Sequence, residues 1–401
     1  MAWRPRETSA AHVERILLFC GGPTFYGKEI VTLRLALGLR DTGWKPEFIT
    51  SNWNNPDVTA RLQSSRIPCH FLWMGFISAT LKLRPLLDTW GQLQRWTQLV
   101  SGFKRLAGGR DIAAIIHTNW HHALLLLPVL SPARDIFWLH EMLPQRPRFA
   151  YVFRAIGRRV NKIVCVSQAV ARSVEALGVP PSKIRVIHNG LEVRIGDRWP
   201  GPGLVPSVGI VGQIAPWKGH DDLVEAIGLL AQRGIRVSLS IFGEGTADYV
   251  ASLKRRIATA CLDDDVQWCG FVGDAVEIYR SIDICVVPTR SDEPLGMSAI
   301  EASAAGLPVV CSDRGGLPEI VEHGTTGFVV KDRRPDQLAQ AIAMLVARPE
   351  LSKSMGTAGR QRASELFSLA RFVAEFGEVI WNTPNCTRLS AVRAGALERS
   401  P

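Results

Sequence analysis

Nowhere in this chain are two cysteines spaced C-x-x-C. The eight cysteines, Cys20, Cys69, Cys165, Cys261, Cys269, Cys285, Cys311 and Cys386, are scattered, and Cys165 in KIVCVS and Cys285 in IDICVVP sit inside strand-like runs. That distribution argues for buried, reduced thiols over metal ligands or disulfides. Long apolar runs are lacking too. The longest, Ala123 to Leu130, has eight residues and includes Pro128, against about 20 for a membrane span. Ile16 to Cys20 is too short for a signal-peptide core and runs directly into Gly21-Gly22, so a cytoplasmic location is expected. No repeat of fixed period and no low-complexity tract is found. His117, His121 and His122, in HTNWHH, lack the glutamate of H-E-x-x-H, which argues against a metal there.

What is present is a soluble composition, 46% hydrophobic and 21% charged, over 401 residues. That length exceeds one ordinary core, so two domains are expected. Charge is unevenly shared. Residues 1–200 hold 27 Lys+Arg against 13 Asp+Glu, a net of +14, and the rest carries −4. A basic half suits anionic lipid surfaces, phosphate-bearing substrates or nucleic acid. No basic-aromatic recognition motif appears, so nucleic acid is not an expected partner.

Along the chain, RILLFCGG (Arg15 to Gly22) reads as a buried strand ending in a glycine turn, followed by helical periodicity over Glu29–Leu39. Further strand-like runs at Glu47–Thr50, Ala113–His117, Asp135–His140 and Lys162–Ser167 alternate with helical patterns such as Ala169–Leu177. WPGPGLVP (Trp199 to Pro206) is a linker signal. The pattern then restarts, with strands at SVGIVGQ, Val237–Phe242, Val266–Trp268, Ile284–Val287 and Pro308–Cys311 and helices at His220–Arg233 and Ala247–Ala260. This is an α/β chain of two Rossmann-like doubly wound domains facing a cleft. The first is placed at residues 1–198 and the second at 205–371. A C-terminal helical stretch, from about 372 to 401, is expected to pack back on the first.

One segment stands apart. Phe76 to Arg110 carries six basic residues and one acid, with Trp90, Leu93, Trp96, Leu99, Val100 and Phe103 at helical spacing. It reads either as an interfacial helix or as a helix packing its apolar face on the sheet.

Ligands of such folds bind at the carboxyl ends of strands, and the glycine turns and charged groups fall there. Gly21-Gly22 ends the first strand and permits close approach of a phosphate or sugar; alone, it is equally a structural turn. Gln213 and Lys218 follow the first strand of the second half, where a lysine can reach a diphosphate. Gly243, in Gly243-Glu244-Gly245, ends the next. His140 ends DIFWLH and can hydrogen-bond a substrate. The segment SDEPLGMSAIEASAAGLPVV holds Glu293 and Glu301. Pro294 suits the first helical position. The backbone N–H groups of Leu295, Gly296, Met297 and Ser298 would then form an anion site. The eight-residue spacing sets the glutamates about 12 Å apart if all helical, two grips on one ligand. Otherwise Glu293 merely complements the helix dipole.

Taken together, these residues resemble glycosyltransferase family 4, retaining enzymes of the GT-B architecture. The resemblance covers most of the chain and is strongest from Lys162 to Val330. It rests on EPLGMSAIEASAAGLPVV, SDRGGLPEIVEHGTTGFVV, KIVCVSQAVARSVEALGVPPSKIRVIHNGLE and VGQIAPWKGHDDLVEAI. It implies a UDP- or GDP-sugar donor held by the second domain. The acceptor, held by the first, would be a glycan or lipid-linked molecule at the cytoplasmic face of a membrane, in polysaccharide or glycolipid biosynthesis. Glu293 matches the donor-sugar glutamate, Glu301 the ribose glutamate, Lys218 the diphosphate lysine, Gly21-Gly22 the first-domain glycine loop and His140 the histidine at the sugar. No cofactor and no metal are implied. Gln213 stands where many members carry arginine, which leaves Lys218 more of the diphosphate charge. A nucleotide-sugar 2-epimerase of the same architecture and a non-catalytic membrane-binding protein are the alternatives.

Overall fold

The structure, a computed structural model, describes residues 14–20, 27–51, 56–74, 83–109, 111–192 and 205–386. The Gly21-Gly22 turn, the linker up to residue 204 and the tail from 387 lie outside them.

The described residues form two all-parallel sheets. The first comprises β1 (Arg15–Phe19), β2 (Lys45–Ser51), β3 (Cys69–Leu72), β4 (Ile112–His117), β5 (Asp135–Leu139), β6 (Ile163–Cys165) and β7 (Ile184–Val186). Its seven strands lie in the order β3-β2-β1-β4-β5-β6-β7. The second comprises β8 (Ser207–Val211), β9 (Ser238–Phe242), β10 (Val266–Gly270), β11 (Ile284–Val287), β12 (Val309–Ser312) and β13 (Gly327–Val330), in the order β10-β9-β8-β11-β12-β13. Both are the doubly wound order, reversing beside the first strand. Helices cover both faces, so the central strands are mostly apolar: every residue of β4, IAAIIH, is buried.

The chain crosses back at its C-terminal end. The helix Pro349–Leu366 lies against Met297–Ala304 of the second unit. The Leu191 N–H then donates to the Phe367 carbonyl at 2.9 Å, and the Leu369 N–H to the Leu191 carbonyl at 3.0 Å. The helix Leu369–Trp381 packs on the first unit. Phe376 and Phe372 lie 4.7 and 5.7 Å from the Trp138 ring, and Trp381 lies 6.2 Å from Trp44. Beyond it, the Thr383 hydroxyl donates to the Ala113 carbonyl at 2.9 Å and the Asn385 amide to that of Ile112 at 2.8 Å.

Three strands escape the sequence reading: β3, β7 and β13. All three are edge strands, partly exposed, and none shows a clear period. The basic segment also differs from a single interfacial helix. It forms two helices, Leu83–Gln94 and Trp96–Ala107. Leu99 and Phe103 are buried, Phe103 lying 5.8 Å from the Phe19 ring, and the Trp96 indole donates to the Leu125 carbonyl at 2.7 Å. Trp90 and Leu93 stay exposed, at 63% and 52%. Cys20, Cys165, Cys285, Cys311 and Cys386 are buried, Cys69 and Cys269 partly so, and Cys261 is exposed. Among the described residues no helix is long and apolar enough to cross a membrane.

Because Phe376 is fully buried, Phe376→Ala should lower the unfolding free energy by about 3–5 kcal/mol. Denaturant unfolding followed by tryptophan fluorescence would report it, Trp138 being its neighbour.

Candidate active site

In each sheet the strand order reverses beside the first strand, so loops leaving adjacent strands there diverge and open a crevice. In the second unit the loops after β8 and β11 meet across it. Lys218 ends the short turn Pro216–Lys218 after β8, and its ammonium lies 2.8 Å from Glu293 Oε2, both side chains largely buried. The Trp217 ring packs under the ammonium at 4.3 Å. The turn is fixed from the β11 side. The Trp217 carbonyl accepts from the Arg290 N–H at 2.8 Å and the Thr289 hydroxyl at 3.0 Å. The Arg290 guanidinium forks onto Asp222, at 2.7 and 2.6 Å, at the start of the helix His220–Gln232. Gly243 packs directly on the Gly212 carbonyl, joining the loops after β8 and β9. Gln213 is exposed on the same rim.

Glu293 precedes the helix Met297–Ala304. Pro294 is not its first residue: the cap is Gly296, at φ +106°, a left-handed conformation that cannot continue a helix. The N–H groups of Met297 and Ser298 therefore open the helix, while Leu295 and Gly296 belong to the loop before it. The all-helical spacing of the two glutamates does not apply. Gly315, at φ +60°, runs under this loop, where a Cβ would collide with the Glu293 backbone. The Gly316 N–H donates to the Glu293 carbonyl at 2.8 Å. Glu301 lies in the second turn of the helix, with the Tyr279 hydroxyl donating to its Oε2 at 3.1 Å. Burial pushes its carboxyl upward, opposed by the charge of Arg34 and by Tyr279. Arg34 belongs to the helix Gly27–Asp41 of the first unit, so its charge acts across the cleft.

On the first unit, His140 directly follows β5, with its ring 4.2 Å from Trp138. Its Nε2 is buried without a hydrogen-bond partner. Burial, with the Lys28 charge adding to it, holds this imidazole well below its usual range, hence neutral. The same two causes push His121 down to about 4, and together with the charges of His121 and His117 they take His122 to about 3. His117 is spoken for: its Nε2 meets Asp135 Oδ1 at 2.7 Å, in the core. Gly21 and Gly22 lie outside the described residues.

The structure thus brings Lys218, Gln213, Gly243, Glu293, Leu295–Ser298 and Glu301 to one edge of the second sheet, and His140 to the matching edge of the first. A cation, a helix N-terminus and two carboxylates can hold an anion carrying hydroxyl groups at both ends. Lys28, Arg34, Tyr279 and Arg290 went unread in the sequence. Lys28 stands in the first turn of the first-unit helix, which was a usable signal. The others are single residues inside helices or loops and carry none.

Two family models match the chain: the one described as Glycosyltransferase Family 4 over residues 26–194 and the one described as Glycosyl transferases group 1 over 204–362. The lipopolysaccharide core biosynthesis mannosyltransferase LpcC of Rhizobium leguminosarum bv. viciae is 30% identical over 300 residues, 71% of this chain and 82% of that protein. The GDP-mannose-dependent alpha-(1-6)-phosphatidylinositol monomannoside mannosyltransferase of Mycobacterium tuberculosis is 29% identical over 294 residues, 64% and 73% respectively. Anabaena HepE, solved in complex with UDP and glucose, superposes with a TM-score of 0.74 at 19% identity, covering 92% of this chain and all of that one. A glycosyltransferase from Rickettsia africae ESF-5 gives 0.76 at 20%, covering 92% and 98%.

Buried neutral histidines make stability pH-dependent. His122 is depressed to about 3, and His220, mainly by burial, to about 4. Below about pH 6.5 the unfolded chain takes up these protons first, so stability falls as pH falls, by about 1.4 kcal/mol per unit for each histidine. The loss should level off near the folded values. Melting curves from pH 7.5 to 5 should drop accordingly, and His122→Asn with His220→Gln should flatten that slope.

Proposed function

The chain belongs to glycosyltransferase family 4, and we propose that it is a retaining, metal-independent hexosyltransferase. It takes a hexose from a UDP- or GDP-sugar and passes it to a glycan or lipid-linked acceptor at the cytoplasmic face of a membrane. The observation that carries this reading is the placement of Lys218 beside Glu293, at the mouth of the helix Met297–Ala304.

In this mechanism the diphosphate lies against the Met297 and Ser298 N–H groups, with Lys218 as its cation. These groups stabilise the charge that develops on the departing nucleoside diphosphate, the task a metal ion would otherwise perform. Glu293 accepts hydrogen bonds from the sugar hydroxyls and Glu301 from the ribose. Neutral His140, at the end of β5 on the first unit, hydrogen-bonds the sugar. The anomeric carbon–phosphate oxygen bond breaks while the bond to the acceptor oxygen forms on the same face. The acceptor's proton goes to the leaving phosphate oxygen, so no protein base is assigned. GDP-mannose appears in the name of the mycobacterial relative and UDP with glucose in that of the HepE complex, which supports a nucleotide-sugar donor.

The acceptor side rests on charge and exposure. The first 200 residues carry a net +14, and the helix Leu83–Gln94 leaves Trp90 and Leu93 uncovered. A basic half with exposed tryptophan and leucine suits peripheral contact with an anionic bilayer. The names of two relatives, a phosphatidylinositol monomannoside mannosyltransferase and a lipopolysaccharide core biosynthesis mannosyltransferase, support a lipid-linked acceptor.

A panel of UDP- and GDP-sugars scored by thermal shift should show donors raising Tm, and no response from any of them would sink the reading. Lys218→Ala should then lose at least about 10²-fold in kcat. Glu293→Ala should impair sugar use while leaving free nucleoside diphosphate binding intact, and Glu301→Ala should mainly weaken that binding. For the membrane, flotation with phosphatidylserine-containing vesicles should capture the protein at low salt, and Trp90→Ala with Leu93→Ala should release it. Equal capture of both proteins would remove that contact.

A further inference from the structure

The helix Leu317–Ile320 touches both units. Glu319 reaches out of the second unit to the start of Gln168–Glu175, a first-unit helix. Its two carboxylate oxygens accept the N–H groups of Gln168 and Ala169, each at 2.8 Å. That helix already has its own cap, the Ser167 hydroxyl accepting from the Val170 N–H at 3.0 Å. Glu319 therefore satisfies two further open N–H groups and adds negative charge at the positive end of the helix. His188, also of the first unit, donates to Glu319 Oε2 at 2.9 Å. Burial would raise this carboxyl, yet His188 and the two N–H groups outweigh it and hold it below the usual range. Arg362 braces the helix by donating to the Glu319 and Ile320 carbonyls, both at 3.0 Å.

The same four-residue helix is tied to the loop of Glu293. Gly316, its cap, donates to the Glu293 carbonyl at 2.8 Å. The Leu317 side chain fills the space beside Gly296 that a Cβ would need. Next to His188, the buried Asn189 directs its amide at Met297 Sδ, 3.9 Å away. The first unit thus holds Glu319 on one side, and Glu319's helix holds the Glu293–Met297 loop on the other.

We infer that Glu319 is a positioning residue for glycosyl transfer: an interdomain clasp that sets the Glu293–Met297 loop in register with the first unit. It touches neither donor nor acceptor. It acts by fixing the separation between the carboxylate that grips the sugar and the unit that carries His140 and the acceptor. This rests on the cleft being the transfer site, as proposed above.

The test compares the full-length protein with Glu319→Gln, whose amide cannot accept both N–H groups, with Glu319→Asp, and with His188→Gln. In small-angle X-ray scattering without ligand, Glu319→Gln should have a larger radius of gyration than the parent. Its affinity for UDP or GDP, whose proposed contacts all lie in the second unit, should be unchanged. Its kcat should fall between about ten- and a hundredfold, the scale of a misplacement of about 1 Å, and the acceptor KM should rise. Glu319→Asp should recover part of the loss, and His188→Gln should fall between. Unchanged scattering and unchanged kcat in Glu319→Gln would overturn the inference. So would a loss of nucleotide affinity equal to the loss of kcat, since that marks local collapse of the pocket. The scattering comparison needs no substrate, so it reads the clasp even if no nucleotide sugar binds the parent protein.

Discussion

Everything at the site follows from one topological constraint. All strands in each sheet run parallel, so their carboxyl ends lie along one edge, and the order reverses beside the first strand of each sheet. At that reversal the connections that follow the two strands pass to opposite faces of the sheet, and a crevice opens between them. In the second unit the reversal lies between β8 and β11, and their loops deliver Lys218 and Glu293 to within 2.8 Å. Residues 75 apart in sequence become neighbours because the strands that carry them do. In the first unit His140 leaves the sheet one strand beyond the reversal, on the corresponding edge.

The electrostatics of the cleft divide along the same line. In the first unit burial, with the Lys28 charge adding to it, keeps His121, His122 and His140 neutral, so these imidazoles add no charge to that wall. The second unit sets one cation against one carboxylate. Gln213 adds no charge, and the remaining positive character comes from backbone N–H groups at the start of the helix Met297–Ala304. Arg34 completes the pattern from the opposite wall, its charge offsetting the upward push that burial exerts on Glu301.

Much of this was legible in the residues. Continuous apolar runs marked the central strands, since both faces of a parallel sheet are covered, and glycine turns at their ends marked the crevice. Three of the four edge strands, β3, β7 and β13, were not, because a short, half-exposed strand such as β3 leaves no period to read. The stripe from Trp90 to Phe103 was seen as one amphipathic face. Its two halves have different fates: Leu99 and Phe103 are core, Trp90 and Leu93 surface. Spacing cannot tell these apart, because a buried apolar face and an exposed one have the same period. The start of the helix after Glu293 was misplaced for a related reason. Proline at Pro294 is a favoured first helical residue, but Gly296 adopts a backbone angle that no helix contains. The contacts of Glu319 were beyond reach, as they join residues about 150 positions apart through backbone groups, which no side-chain pattern records.

The return of the chain at Phe367–Leu369 constrains how the two units can move. One covalent tether would let them tumble and separate. Here the chain passes between the units twice, and Leu191, just before the first passage, is hydrogen-bonded to Phe367 and Leu369 of the second. Two adjacent pivots leave rotation about a single axis as the soft motion, with sliding and dissociation both stiff. Any opening of the cleft would turn about that axis, as a book does about its spine, and would have to pull Glu319 away from the Gln168 and Ala169 N–H groups.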